Sequence, residues 1–237
     1  IAIAKQASEL GIEMLVMDDG WFGNRCDDNR ALGDWFVNEE KLNGGLKYLV
    51  DEVNKLGMKF GIWFEPEMIC PDSDLFRTKP EWAMKIEGRK PTETRWQLML
   101  DLTNPEVCNY VYDSIANILN SANIEYVKWD YNRTMAHIGS TFLKADQMGE
   151  YYHRYILGLY EVYRRIFFHP EVFQNAGHFF CRSGGYRGFR RVCALRVSVR
   201  FSEQVFPLLW ERVLLRVSFL LLQQVFLLWE RVLLQLW

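Results

Sequence analysis

The feature that most constrains this chain is a rhythm: an amphipathic segment that ends in glycine, then a short apolar run that ends in acids. IAIAKQASELG (1–11) has helical spacing and stops at Gly11, a residue suited to closing a helix. IEMLVMDDGWF (12–22) follows, apolar at first and then carrying Asp18 and Asp19. GGLKYLVDEVNKLG (44–57) repeats the helical pattern through Leu46, Leu49, Val50, Val53 and Leu56 and stops at Gly57. MKFGIWFEPEM (58–68) is the next apolar run and ends in Glu65 and Glu67. A third cycle opens at PEVCNYVYDSIANILNSAN (105–123), with Asn104 as N-cap and Pro105 in the first turn, and continues into IEYVKWDYNR (124–133). GEYYHRYILGLYEVYRRIF (149–167) reads as a fourth helix.

Apolar runs without polar alternation suit strands buried on both faces, and their alternation with helices predicts βαβ units around a parallel sheet. A doubly wound sheet and an eight-stranded barrel both satisfy this pattern. The barrel is favoured because each run delivers polar residues at its C-terminal end, where a barrel assembles its site. No G-x-G-x-x-G turn follows any strand, which weakens a nucleotide-binding reading.

Within IEYVKWDYNR, Lys128 and Asp130 are two apart and share one strand face. Lys128 can hold a hydroxyl or help keep Asp130 ionised, and an oriented, ionised carboxylate is the nucleophile a retaining glycosidase requires. On spacing alone, an ordinary ion pair capping a strand is the commoner explanation. Asp18-Asp19-Gly20-Trp21 offers two carboxylates to the hydroxyls of one sugar, with an Asx turn or a metal site as alternatives. No histidine or third acid stands nearby to complete a transition-metal set, and DDNR (27–30) lacks the twelve-residue calcium loop. Trp63 and Glu65 alternate onto one face, so Trp63 is either a wall for a sugar ring or part of the core. Glu65 and Glu67 read as structural acids, and Arg95, in a loop, as a surface charge.

Composition enters at three points. Aromatic residues make up 15% of 237 residues, with nine Trp, which fits either sugar stacking or a large core. A net charge of −2 gives no basic patch for nucleic acid or an anionic membrane. Five Cys without a CxxC pair argue against zinc or a disulfide framework and are expected to be small buried hydrophobes in a reducing, cytoplasmic setting.

Five segments in this order resemble the α-galactosidases of glycoside hydrolase family 36: LVMDDGWFGNR (15–25), LGDWFVNEEKLNGGL (32–46), KFGIWFEPEMI (59–69), LDLTNPEV (100–107) and IEYVKWDYNR (124–133). The resemblance covers about residues 1–175. It implies part of a (β/α)8 TIM barrel, truncated at the N-terminus, that hydrolyses terminal α-galactosyl residues with retention. It implies Asp130 as nucleophile, Asp18 and Asp19 on galactose hydroxyls, and Trp63, Arg95, Lys128 and Asn132 as further substrate contacts. FFCRSGG (179–185) resembles an altered form of the family's Cys-Ser-Gly-Gly strand end, so Cys181 and Gly184 join the substrate-binding set, with Ser183 and Gly185 beside them. No cofactor and no metal are implied. The implied partner is a galactoside oligosaccharide of melibiose or raffinose type, with no nucleic acid or membrane partner and a homo-oligomer possible for the full-length protein. Same-family alternatives are an α-N-acetylgalactosaminidase, a galactosyl transferase or a non-catalytic galactose-binding fragment.

The chain also departs from that pattern. No Asp follows Asp146, so no segment matches the strand end that bears the general acid/base. From residue 181 the composition shifts and QVFPLLWERVLL (204–215) returns as QVFLLWERVLL (224–234). Two regions are therefore expected: a partial barrel over 1–180, and over 181–237 an aberrant helical or disordered tail that is not native family sequence. A chain without its acid/base is expected to be inactive or poorly folded by itself.

Overall fold

The computed structural model describes residues 1–168 and the backbone of 179–184; the repeat-bearing tail lies outside the described residues. The chain divides into two units, Ile1–Val199 and Arg200–Trp237, and every described residue belongs to the first.

Three helices and three strands carry the rhythm seen in the sequence. Helix α1 (Ala2–Glu9) precedes strand β1 (Met14–Met17), and α2 (Gly45–Lys55) precedes β2 (Lys59–Phe64). Gly11 (φ 78°) and Gly57 (φ 76°) take the left-handed conformation that lets the chain leave each helix and turn into its strand. Between β2 and the third cycle lie a two-stranded antiparallel ladder, β3 (Met68–Ile69) with β4 (Leu98–Met99), and a short helix α3 (Asp74–Thr78). Asp34 accepts from the Asp74 and Leu75 backbone N–H groups at 2.9 Å each and so holds the start of α3 against the preceding loop. Helix α4 (Pro105–Ser121) starts as expected, with the Asn104 side chain accepting from the Glu106 N–H, and leads into β5 (Tyr126–Tyr131). Helix α5 (Tyr151–Phe168) follows, its first residues preceded by a 3-10 turn over Ala145–Glu150.

The main sheet runs in the order β1-β2-β5-β6, with β6 (Phe179–Gly184), and all three pairings are parallel. Its register sets Val16 against Gly61 and Gly61 against Tyr126. Gly61 is needed there, because a Cβ would meet the Tyr126 ring at 2.8 Å and Val16 at 3.1 Å. β2, central, is buried from Phe60 onward, whereas β1 is only half-buried throughout. β5 alternates: Val127, Trp129 and Tyr131 are buried, and Tyr126, Lys128 and Asp130 are half-exposed.

The buried face of β5 packs on α5. Trp129 meets Tyr163 edge-on at 4.8 Å, and Glu67, fully buried, accepts from Trp129 Nε1 and from the Tyr155 hydroxyl at 2.8 Å each. One buried acid thus pins the end of β2 to β5 and α5, and both donors satisfy what would otherwise be a costly group. Beyond the end of the sheet an aromatic cluster fills the core: Phe22 lies 4.4 Å from Trp35, and Trp21 and Trp35 each lie 5.3 Å from Phe64. Trp21, Trp35, Trp63, Trp82 and Trp129 are all buried, so the described Trp are core residues apart from Trp96, which is 53% exposed. The cysteine expectation holds for Cys70 and Cys108, which are buried, but not for Cys26, which is exposed in the polar loop after β1.

Candidate active site

The residues singled out in the sequence gather at the C-terminal ends of β1, β2 and β5, as a parallel sheet permits, because its strand ends all point one way. Asp130 is the penultimate residue of β5. Its Oδ2 accepts from Trp63 Nε1 at 3.1 Å and from Asn132 Nδ2 at 2.7 Å, and its Oδ1 from the Tyr131 backbone N–H at 2.9 Å. N–H donors on both oxygens fix the carboxylate's orientation. Trp63 comes from the neighbouring strand, where it is in register with Lys128. The Trp63 ring is buried and stacks on Phe22 at 6.1 Å, and Trp21 Nε1 donates to its carbonyl at 2.9 Å. What Trp63 turns toward Asp130 is an edge N–H.

Lys128 shares the face of Asp130, as the alternation requires, but its ammonium reaches Asp18, with Nζ 2.6 Å from Oδ2. This differs from a Lys128–Asp130 pair, and the reason is the sheet order. Asp18 follows β1, Lys128 lies on β5, and β2 separates them, so a long lysine spans the central strand. The contact brings the ends of β1 and β5 to one place. Partial burial works against the charge on Asp18, but the Lys128 hydrogen bond, the Asp19 backbone N–H and the Lys128 charge outweigh it and hold the carboxyl below its ordinary value.

Asp19 turns away from Asp18 to Arg25, which reaches Asp19 Oδ1 through Nε at 3.0 Å and Oδ2 through Nη2 at 2.8 Å. Arg25 is buried, donates also to the Arg30 carbonyl at 2.9 Å, and stands 3.6 Å from Asp28. Burial disfavours its charge, yet the hydrogen bond and charge of Asp19 raise its pKa above the ordinary value. Lys41 bonds the carbonyls of Gly20 and Arg25 and so clamps the loop that carries this pair. The sequence reading gave Arg25 no role. Its signal was present as an Arg six residues beyond the tandem acid, but only the fold shows it buried.

Arg95 sits at the tip of a tight turn whose base pairs Thr94 and Gln97 through two 3.1 Å backbone bonds. Arg95 and Trp96 both have positive φ, at 54° and 57°, in the mirror-image turn that usually takes Asn-Gly. Arg133, buried beyond β5, braces this strain by donating to the carbonyls of Thr92 and Gln97. Arg95 is exposed, as a surface charge, and lies 3.6 Å from Asp28. The turn therefore hangs between the Asp19–Arg25 cluster and the end of β5.

Glu65, read from the sequence as a structural acid, lies beside the candidate nucleophile. It is 1% exposed, and its oxygens accept from the Asn132 backbone N–H and from Gln97 Nε2, both at 3.2 Å. Burial, with the Asp130 charge beside it, pushes its carboxyl up to about 7. Cys181 and Gly184 lie on β6, in register with Lys128 and Tyr131, and Ser183 stands opposite Asp130. Gly185 lies outside the described residues. Among the described residues no three His, Cys, Asp or Glu side chains cluster as a metal would need, and no helix is long and apolar enough to cross a membrane.

This arrangement can present an oriented carboxylate beside a cation-held acid pair, which suits a polyhydroxylated, uncharged ligand. Comparison with known proteins agrees in kind. The family model described as melibiase matches residues 1–196. Alpha-galactosidase AgaA of Geobacillus stearothermophilus is 52% identical over 162 residues, covering 68% of this chain and 22% of that protein. The bifunctional alpha-galactosidase/sucrose kinase AgaSK of Mediterraneibacter gnavus is 47% identical over 188 residues, covering 79% of this chain and 19% of that one. A solved structure of a substituted form of AgaA in complex with raffinose superposes with a TM-score of 0.73 at 48% identity, covering 78% of this chain and 26% of that chain. The chain thus spans about a quarter or less of each of these relatives.

Proposed function

Because the chain belongs to the melibiase family, within glycoside hydrolase family 36, we propose that it is the nucleophile-bearing part of a retaining α-galactosidase barrel. The parallel order β1-β2-β5-β6, with acids at successive strand ends, supports the barrel reading. One observation carries the function: Asp130 is gripped by Trp63 and Asn132 at the same strand ends where Lys128 reaches Asp18.

In this reading an Asp130 oxygen attacks the anomeric carbon as the glycosidic bond breaks, and the galactosyl group becomes an ester of Asp130. A second carboxyl protonates the departing oxygen and then activates the water that frees galactose. Asp18 and Lys128 hold galactose hydroxyls, and Asp19, anchored by Arg25, completes that set. Bound sugar covers these groups from water, so a misplaced hydroxyl leaves them unpaired and the wrong epimer is disfavoured. Arg95 and Asn132 supply further donors, and β6 brings Cys181 and Gly184 alongside. Substrates of raffinose or melibiose type fit the raffinose complex of the relative.

The acid that protonates the leaving group has no match in this chain, and losing such help costs about 10²–10⁴-fold in rate. The test therefore uses a substrate that needs little acid. The 237-residue chain is incubated with 5-fluoro-α-galactosyl fluoride and digested, and the labelled peptide is identified by mass. Labelling of Asp130, abolished in Asp130→Asn, is expected. Galactose binding by calorimetry with no labelling overturns the catalytic reading and leaves a galactose-binding fragment.

A further inference from the structure

We infer that Glu65 is a positioning residue for Asp130: from a buried, uncharged carboxyl it fixes Asn132, which holds the nucleophile. This rests on the reading of Asp130 as the attacking group.

The geometry begins with register. Phe64 pairs with Trp129, so the next residue on each strand brings Glu65 alongside Asp130. Asn132 then links the two carboxyls directly, with its backbone N–H on Glu65 Oε1 at 3.2 Å and its side-chain N–H on Asp130 Oδ2 at 2.7 Å. Moving Glu65 moves Asn132, and moving Asn132 turns the oxygen that would attack.

The proton follows from burial. Burial disfavours a charge on Glu65, and the neighbouring Asp130 carboxyl adds to that effect. The charged and titratable groups facing Glu65 are Asp130 from β5, Arg95 from the tight turn, Arg133 beyond β5 and Cys70 beyond β3. Arg95 is exposed and near Asp28, and Arg133 directs its two terminal N–H groups to the carbonyls of Thr92 and Gln97. Among the described residues no cation forms an ion pair with Glu65. Its two acceptor bonds are the longer ones in the corner, at 3.2 Å each, against 2.7, 2.9 and 3.1 Å at Asp130. The Gln97 amide oxygen is buried without a partner, and a half-turn of that amide would let it accept an O–H from Glu65. The upward shift of Glu65 to about 7 agrees with this arrangement.

The test titrates the side-chain carboxyls of the 237-residue chain by carbon-13 NMR. Glu65 is expected to titrate near 7 and to move partway down in Asp130→Asn, because the neighbouring charge is gone while the burial that contributes most remains. A Glu65 that titrates in the ordinary range in both chains overturns the proposal. Labelling by 5-fluoro-α-galactosyl fluoride gives an independent readout. In the parent its rate is expected to fall above pH about 7 as ionised Glu65 repels Asp130; in Glu65→Gln that fall disappears. An unchanged profile in Glu65→Gln also overturns it. Glu65→Ala, which releases Asn132, is expected to slow labelling by roughly 10–100-fold. Label on a residue other than Asp130 defeats the nucleophile assignment, while the titration still reads Glu65.

Discussion

Two pairs of acids stand at neighbouring strand ends and are held in opposite ways. At the end of β1, Asp18 and Asp19 each take a cation, Lys128 for one and Arg25 for the other. At the ends of β2 and β5, Asp130 and Glu65 take indole and amide N–H groups from Trp63, Asn132, Tyr131 and Gln97. A carboxylate paired with a cation keeps its place and offers its remaining lone pairs to hydroxyls. Indole and amide donors orient the Asp130 oxygens, and in the proposed reading that oriented carboxylate meets a carbon that becomes electron-poor. If the proposed function holds, the difference separates recognition from chemistry within one cluster of acids.

The largest expected effect breaks the comparison at its reactive half. Asp130→Asn keeps the shape and loses the nucleophile, and the rate of galactosyl transfer to the chain should fall by about 10⁴-fold or more. Galactose affinity, measured by calorimetry, should change far less, because the Asp18 half is untouched. Equal losses in both would show that the two halves act as one.

The second effect is a pH dependence of stability at Glu65. Its folded value, about 7, lies above the ordinary carboxylate value of 4.5, so the folded state holds a proton that the unfolded state releases. Stability is therefore fully present below the ordinary value, declines as pH rises toward 7, and levels off above it. A shift of this size corresponds to at most about 3 kcal/mol. Urea unfolding at a series of pH values should show the decline in the parent chain and lose most of it in Glu65→Gln. Asp18, held below its ordinary value of 3.8, predicts no such slope in this window.

How much of this was legible in the sequence depends on range. Gly11, Gly57 and the Asn104-Pro105 pair act on their own turn of helix, and the helices they bound stand where spacing put them. Lys128 and Asp130 share a face because alternation is local. β3 and β4, at two residues each, are too short for any period to register. The partners of the acids were hidden for a different reason. Asp18 finds Lys128 across 110 positions, and Glu65 finds Asn132 across 67. Such contacts depend on which strands are neighbours. Glu65 looked structural because its neighbours in sequence, Phe64 and Pro66, say nothing of Asp130.

The third effect sharpens the recognition half. Arg25→Met leaves Asp19 facing a buried apolar side chain in place of its cation, and should cost about 1–3 kcal/mol in urea unfolding, below the full value of a buried pair because Asp19 keeps contact with water. Adding Asp19→Asn should recover part of that loss, since the coupling between the two is what the single substitution breaks.

The smallest effect lies at Lys128 and Asp18, and it tests the division most directly. Asp18 is 61% exposed and Lys128 33%, so water screens the pair and its share of stability should be below about 1 kcal/mol. Its folded pKa is depressed, so that share is present above the ordinary value of 3.8 and is lost as pH falls through the lowered one. Lys128→Met should thus barely move the unfolding midpoint at pH 7, yet weaken galactose binding clearly, because both the ammonium and the fixed position of Asp18 are removed. A large loss of stability with unchanged binding would place Lys128 with the structural acids and leave Asp18 without a recognition role.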